Sequence, residues 1–160
     1  MDAAFRYRTS RGATELALIE WKYTESYAEA RDHTTKLATR RGRYLRDYED
    51  EDGPIEPVLA FELAQDEPFY QLIRQQLLAH RLELDPEEPA EVVRVVHVLD
   101  PRNEAYQDSL VRPEHRALGS TVDEAWASML RRADRFIHLD PAVFWDPEVT
   151  DVDYVLRYGS

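Results

Sequence analysis

The sequence contains no cysteine, which excludes disulfide bonds, thiolate metal sites and cysteine nucleophiles. It has no apolar run near the about 18 residues that a membrane-spanning helix needs, and residues 1–6 lack the apolar core of a signal peptide. A glycine-rich phosphate loop and a serine-hydrolase elbow are also missing. These absences favour a cytoplasmic protein that neither enters a membrane nor uses thiol chemistry.

Positive charge is scarce as well. Lys and Arg number 20 against 32 Asp and Glu, a formal net charge of -12. This balance disfavours non-specific binding of nucleic acid by the surface as a whole. Hydrophobic residues make up 43% of the chain, enough for a core, and a length of 160 residues predicts one domain spanning 1–160. The five histidines show no ligand spacing, and we interpret His97, on an apolar strand, as a core histidine.

The hydrophobic pattern predicts an α/β layered domain. A hairpin with a turn at 10–12 opens the chain. Capping boxes at Ser26–Glu29 and Thr121–Glu124 begin two of the helices. Leu-Asp-Pro occurs at Leu84, Leu99 and Leu139, and we interpret each copy as an element terminator. The predicted elements are strands at 5–8, 16–23, 58–61 and 92–99, and helices at 26–48, 68–82 and 121–137.

The candidate site is the end of the second strand, Glu20-Trp21-Lys22. Residues two apart on a strand point to the same face, and two charged groups at the end of a buried strand are costly unless they are paired or bind a metal. Asp2, which opens the preceding strand, is expected beside Glu20 across the hairpin. Two carboxylates and a lysine suit Mg²⁺ or Mn²⁺. The alternative is a plain ion pair between Glu20 and Lys22.

Two longer strings carry a family resemblance. The chain reads DAAFRY…ALIEWKYTESY over residues 2–27 and EPFYQLIRQQLLA over residues 67–79. Together they resemble the PD-(D/E)xK nuclease superfamily, in particular a bacterial branch of this restriction endonuclease-like fold. The resemblance implies a metal-dependent nuclease acting on DNA, with Asp2 and Glu20 as metal ligands and Lys22 as the catalytic lysine. By the same analogy, Gln71 or Gln75 faces the site from the following helix.

The start of the chain departs from that family pattern. The family core normally begins with a helix and a further strand before the position of Asp2, and Met1 stands where a proline would precede that aspartate. The expected fold is therefore a restriction endonuclease-like mixed sheet, flanked by helices, that lacks this first helix and strand. We expect the exposed first strand to be completed by a homodimer, by a larger parent protein or by the acidic C-terminal third folding back. A nuclease-fold protein that is inactive and only binds DNA or protein is the alternative function.

Two groups of polar residues are candidates for contact with DNA. Gln71, Arg74 and Gln75 share one side of a helix and either form a solvated face or contact substrate. Lys36, Arg40 and Arg43 form a stripe along the preceding helix. This stripe is either a DNA-binding surface or a solvated helix face paired with nearby acids. A local basic patch of this kind would offset the negative net charge.

Overall fold

The computed structural model describes residues 1–22, 34–85, 87, 90–153 and 156. A β-hairpin opens the chain, with Gly12 in the turn at φ 88°, a left-handed conformation that glycine adopts without steric cost. The helices and strands in chain order are β1 (Ala3–Arg8), β2 (Thr14–Lys22), α1 (Thr34–Tyr48), α2 (Phe69–Leu84), β3 (Val92–Leu99), α3 (Glu104–Gln107), α4 (Pro113–Arg116), α5 (Val122–Ala127) and β4 (Phe136–Leu139).

The four strands form one mixed sheet in the order β1-β2-β3-β4. β1 is antiparallel to β2, whereas β2, β3 and β4 run parallel to their neighbours. Parallel neighbours need a long crossover, and the connection from β2 to β3 contains α1 and α2. The predicted α/β class and the mixed sheet with flanking helices are confirmed, and the architecture is consistent with a restriction endonuclease-like fold.

Alternation along β2 separates the two faces of the sheet. Leu16 and Leu18 are buried against α2 and pack with Val93 and Val95 of β3. Each buried side chain of this kind contributes about 1.5–3 kcal/mol relative to an exposed one. Glu20 and Lys22 continue the same face of β2, because successive even positions point to one side. The core therefore leads directly to the two charged residues at the strand end.

The predicted element boundaries hold at the Leu-Asp-Pro sequences: α2 ends at Leu84, β3 at Leu99 and β4 at Leu139. The strand at 92–99 is confirmed over its full length. The helix predicted at 26–48 is confirmed from Thr34 to Tyr48, and its Ser26–Glu29 capping box lies outside the described residues. The Leu-Asp-Pro sequence thus marks the ends of both helices and strands in this chain.

Two predicted elements are wrong. No strand forms at 58–61, where Leu59 and Phe61 are buried in the helical core without a strand partner. The helix that begins after Thr121 ends at Ala127 instead of continuing to 137. Residues 136–139 form β4, so Ile137 lies on a strand and not on a helix face. Leu59, Phe61 and Trp126 are core residues, whereas Val58 and Ile137 are exposed. In both regions the periodicity predicted the wrong backbone geometry.

β1 is an edge strand, and all its residues after Ala3 are exposed. Within the part of the chain that the structure describes, β4 joins the opposite edge of the sheet, and Phe144 contacts Trp21 of β2. The described C-terminal residues therefore do not complete the sheet beside β1, and completion by a partner chain or a parent protein stays a prediction. No helix among the described residues is long and apolar enough to cross a membrane.

Candidate functional site

A row of titratable side chains crosses the sheet at the level where β2 ends. The strand register pairs Glu20 with His97 and His97 with His138, and extending the β1–β2 register by one residue places Asp2 opposite Glu20. Directly opposed residues share a face of the sheet. The expectation that Asp2 lies across the hairpin from Glu20 agrees with this register, and the two histidines extend the row beyond what the sequence indicated.

Glu20, Lys22 and Gln71 form a hydrogen-bonded triad between β2 and α2. The Lys22 Nζ donates to Gln71 Oε1 at 2.7 Å and to Glu20 Oε1 at 3.1 Å, and Gln71 Nε2 donates to Glu20 Oε1 at 2.8 Å. Lys22 is 1% exposed and Glu20 is 6% exposed. The structure thus brings together three of the predicted site residues, and it buries the two charges where water screens them little.

The carboxylate of Glu20 is held in its charged form. Its Oε2 lies 2.6 Å from the amino nitrogen of Met1, so this oxygen faces a positive charge. Burial alone would raise the pKa of Glu20, but the Met1 amino group and Lys22 outweigh it and leave the pKa below its ordinary value. A buried carboxylate that stays ionised near neutral pH is what a metal ligand requires.

Asp2 is hydrogen-bonded to the backbone of β2 at the end of the hairpin. Its Oδ2 accepts a hydrogen bond from the backbone N–H of Trp21 at 2.8 Å, and its own N–H donates to Ile19 at 2.9 Å. The second carboxylate of the predicted site is therefore anchored at the hairpin end and exposed. Its assignment as a metal ligand stays a prediction.

His97 and Gln75 are hydrogen-bonded to each other next to the triad, because His97 is paired with Glu20 in the sheet. His97 is fully buried beside Glu20, and its Nε2 lies 2.7 Å from Gln75 Oε1. The amide oxygen can only accept, so Nε2 carries the proton and donates. Burial, followed by the charge of Lys22, lowers the pKa of His97 to about 4. His97 is a neutral hydrogen-bonding residue at pH 7, as its interpretation as a core histidine predicts, and Gln75 reaches the site through it.

Glu67 is a carboxyl group near the site that the sequence did not single out as functional. One of its oxygens, Oε2, is buried and has no hydrogen-bond partner in the described structure. Burial raises the pKa of Glu67, against the opposing effects of the Gln71 backbone N–H and the charges of Arg40, Lys22 and Arg74. Only the three-dimensional approach of α2 to β2 reveals it, although Glu67 begins the EPFYQL string.

The predicted DNA-binding residues divide into two groups. Lys36, Arg43 and Arg74 are exposed on α1 and α2. Arg40 is 7% exposed. Its Nη1 donates to the carbonyl of Gln65 at 2.8 Å, and its guanidinium carbon lies 3.5 Å from the centre of the Tyr70 ring. These contacts give Arg40 a structural role in joining α1 to the start of α2, while contact with DNA stays untested for all four.

A cavity of about 380 Å³ lies beside the triad. Gln71, Gln75 and Arg74 face it from α2, and Met1 closes one side. Glu20 and Lys22 are not among the residues that line this cavity, whereas Gln71 and Met1, which both contact Glu20, are. The exposed Arg74 and one member of the triad therefore border the same cavity.

The donor set fits a hard divalent cation in chemical type. Carboxylate and amide oxygens are the ligands of Mg²⁺, which is usually held by one or two carboxylates together with substrate phosphates and water. Among residues 1–22, 34–85, 87, 90–153 and 156, no three His, Cys, Asp or Glu side chains gather to hold a metal ion. Such a cation would therefore depend on Glu20, on Asp2 and on oxygens supplied by the substrate.

A family model described as REase-ARP, Restriction Endonuclease associating with ARP, matches residues 1–159 of this chain. Neither the curated proteins nor the solved structures include a match. The family match covers the hairpin, the triad, α2 and the C-terminal elements together.

Proposed function

We propose that this chain, which belongs to the family Restriction Endonuclease associating with ARP, is a metal-dependent nuclease of the PD-(D/E)xK type that hydrolyses DNA phosphodiester bonds. Membership of this family indicates a nuclease-like function. The observation that supports the finer assignment is the buried Glu20–Lys22–Gln71 triad, with hydrogen bonds of 2.7–3.1 Å, at the end of β2. The family description names an association with ARP, and we propose that this chain also acts in association with ARP.

Glu20 and Asp2 would hold Mg²⁺ or Mn²⁺. When bound there, the ion would polarise the scissile phosphate and lower the pKa of a water molecule. Glu20 contributes a carboxylate already ionised beside positive charge. Asp2 contributes the exposed carboxylate across the hairpin, once its hydrogen bond with the Trp21 N–H is exchanged.

Lys22 provides the fixed positive charge of the site. Its ammonium group is oriented by Gln71 and Glu20. A preoriented cation in a water-poor site stabilises negative charge that develops on a phosphate far more than an exposed lysine does. The role of Lys22 is to stabilise that charge and to orient the attacking water, and the role of Gln71 is to position Lys22.

Substrate would approach from the side of α1 and α2. Arg74 borders the cavity next to Gln71, and Lys36 and Arg43 are exposed on α1. These three basic side chains would contact backbone phosphates, which supply most of the affinity in sequence-independent binding. The negative charge of the rest of the surface would confine nucleic acid to such local patches.

The alternative is a nuclease fold without activity that binds DNA or protein. The burial of Glu20 and Lys22 favours it, because a closed and hydrogen-bonded ion pair can serve structure alone. Both interpretations predict a folded protein with the same triad, so only the reaction separates them.

The test is nicking of supercoiled plasmid in the presence of Mg²⁺ or Mn²⁺, compared with EDTA. Wild type should nick the plasmid only with metal. Lys22→Met should lower the rate by about 10²–10³, the usual loss when one preoriented electrostatic group is removed. Metal-independent nicking, or a Lys22→Met variant as active as wild type, would refute the site assignment.

A matched control separates lost activity from lost folding. The double variant Glu20→Gln, Lys22→Met replaces the buried pair by neutral groups of similar size, an exchange that proteins often tolerate. It should fold with the wild-type circular dichroism spectrum and still fail to nick. Arg116→Ala, an exposed arginine on α4, should nick at the wild-type rate.

A further inference from the structure

The face of the sheet opposite the triad carries exposed aromatic rings. Phe5 is 58% exposed, Tyr7 40% and Trp21 39%. Phe5 is paired with Ala17 and Tyr7 with Glu15, which places both rings on the face of β2 that also carries Trp21. Large exposed rings grouped on one face of a sheet mark an interaction surface, because proteins rarely expose contiguous apolar groups without a function.

Positive charge lies along the outer edge of the strand that carries two of these rings. Arg6 and Arg8 alternate with Phe5 and Tyr7 along β1, so their side chains leave this edge strand on its other side, and Arg11 follows in the turn; all three are exposed. No acidic residue occurs between Ala3 and Thr14, although the whole chain has a net charge of -12. The hairpin therefore has a basic edge next to exposed rings, a local patch that differs in sign from the rest of the protein.

Glu15, the acid that contacts Tyr7, is already paired. Glu15 accepts from the Tyr7 hydroxyl at 2.7 Å and from Arg94 Nε at 2.9 Å. The Tyr7 ring is thereby fixed in place, and the charge of Glu15 is balanced. Phe144 contacts Trp21, with ring centroids 5.1 Å apart, and brings the acidic residues that follow β4 near that end. Phosphates are accordingly favoured at the Arg6–Arg11 end of the face.

We propose that this hairpin face, formed by Phe5, Tyr7 and the exposed part of Trp21 with Arg6, Arg8 and Arg11 at its edge, binds an unpaired nucleic acid strand. Exposed rings on a sheet stack with bases that are free of a duplex partner, and arginines hold the backbone. Phe5 and Tyr7 are two residues apart, about 6.8 Å along a strand, a spacing that allows successive unpaired bases to stack on successive rings.

The proposal rests on the proposed function for the class of ligand, since a nuclease acts on nucleic acid, and it goes further in naming single-stranded substrate. A second copy of this chain pairing through β1 would bring Arg6, Arg8 and Arg11 of two copies together, and their like charges would oppose association. A nucleic acid strand meets the same arginines with opposite charge. Charge complementarity therefore favours the nucleic acid over the homodimer on this face.

The test measures fluorescence anisotropy of labelled 15-residue oligothymidylate, oligouridylate and a 15-base-pair DNA duplex, with EDTA present so that no cleavage occurs. Wild type should bind a single strand more tightly than the duplex, and preference between the first two probes tells DNA from RNA. Phe5→Ala and Tyr7→Ala should each weaken single-strand binding by about tenfold. Phe5→Tyr and Tyr7→Phe keep the rings and should restore it.

Arg8→Ala and Arg11→Ala should weaken binding and reduce its salt dependence, whereas Arg116→Ala, the charge-matched control on α4, should change neither. Equal binding of duplex and single strand, unchanged binding by Phe5→Ala with Tyr7→Ala, or no binding by wild type would overturn the proposal. Self-association in light scattering that these two substitutions abolish would overturn it too, in favour of a protein interface.

The outcomes are distinguishable from those of the nuclease assay. Lys22→Met should lose nicking and retain single-strand binding, because Lys22 lies on the other face of the sheet. A wild-type protein that binds the oligonucleotide through Phe5 and Tyr7 but never nicks DNA keeps this proposal and refutes the enzyme. A protein that nicks plasmid but does not bind single strands supports the enzyme and refutes this proposal.

Discussion

The two faces of one sheet invert the usual distribution of residues. On the helix side, β2 ends with Glu20 and Lys22 nearly removed from solvent, whereas on the open side Phe5, Tyr7 and Trp21 are exposed. Buried charge and exposed aromatic surface are each unfavourable for folding unless they are compensated. The buried pair is compensated by Gln71 and by the Met1 amino group.

This contrast teaches where function is expected in the molecule. Well-packed aliphatic residues such as Leu16, Leu18, Val93 and Val95 explain the fold and require no functional account. Residues that break the rule of apolar inside and polar outside need another reason, and here they lie on both faces of the hairpin that begins the chain. The comparison predicts large stability effects for the buried charges and small ones for exposed residues.

The largest effect is expected from a single substitution in the buried pair. Lys22→Met removes a buried cation that contacts Glu20, and breaking a buried ion pair by deleting one partner costs about 3–5 kcal/mol. The free energy of unfolding, measured by urea denaturation, should fall by an amount near the lower end of that range, because Gln71 and the Met1 amino group still contact Glu20.

The double variant Glu20→Gln, Lys22→Met tests whether the unpaired charge of Glu20 is responsible. With both charges gone and the volume kept, most of the loss should be recovered. If the double variant is as unstable as Lys22→Met alone, the lost hydrogen bonds of the Lys22 ammonium group, and not an unpaired Glu20 charge, explain the effect.

Acid should destabilise the protein through His97. Its folded pKa is about 4 against about 6.5 when unfolded, so the unfolded chain binds the proton more tightly. The stabilisation that comes from keeping His97 neutral is therefore fully present above pH 6.5. The free energy of unfolding falls by roughly 3 kcal/mol as the pH falls from 6.5 to 4, and urea denaturation at several pH values measures this fall.

His97→Gln is the matched variant, because an amide can still donate to Gln75. The free energy of unfolding of this variant should fall less between pH 6.5 and 4 than that of wild type. Some fall should remain, since burial also lowers the pKa of His115. A fall as large as in wild type would show that His97 is protonated without penalty in the folded protein.

Two arginines of α1 allow a buried charge and an exposed charge to be compared within a single helix. Arg40 is buried, bonds to Gln65 and lies over Tyr70, while Arg43 is exposed. Arg40→Ala should lower the free energy of unfolding by about 2 kcal/mol or more, whereas Arg43→Ala should stay within about 0.5 kcal/mol. Arg43→Ala should instead weaken DNA binding. Equal thermal midpoints for the two variants would contradict a structural role of Arg40 that Arg43 lacks.

The sequence predicted the parts of this fold that depend on local pattern. β3 is a long β-branched run ended by Asp100-Pro101, and its bounds are correct. β4 was missed because Phe136–Leu139 is only four residues long and continues an apolar spacing that a helix would also show. Its strand geometry comes from pairing with β3, which is a tertiary contact.

The candidate site was predictable to a similar extent. Glu20 and Lys22 share a face by simple alternation, and Gln71 was added by family analogy. Glu67 and the row through His97 and His138 were not predictable, because the register between parallel strands and the approach of α2 are set by packing over long sequence separations. The burial of Arg40 was also hidden, since a basic stripe on a helix has the same spacing whether it faces solvent or a neighbouring helix.

The smallest effect is expected from His138, which is paired with His97 in the sheet and titrates in the opposite sense. Its Nδ1 lies 2.6 Å from Asp123 Oδ2, and its Nε2 lies 3.1 Å from the carbonyl of Leu99. Asp123 raises the pKa of His138 against the effect of its burial. The stabilisation is therefore fully present below the unfolded pKa of about 6.5 and is lost as pH rises through the higher folded value. Asp123→Asn should reduce this alkaline decline while the acid-side loss from His97 remains; the Leu99 carbonyl and Asp140 also raise the pKa of His138. NMR titration of the two imidazoles measures both pKa values, and a His138 pKa that is unchanged in Asp123→Asn would show that this ion pair does not hold β4 against α5.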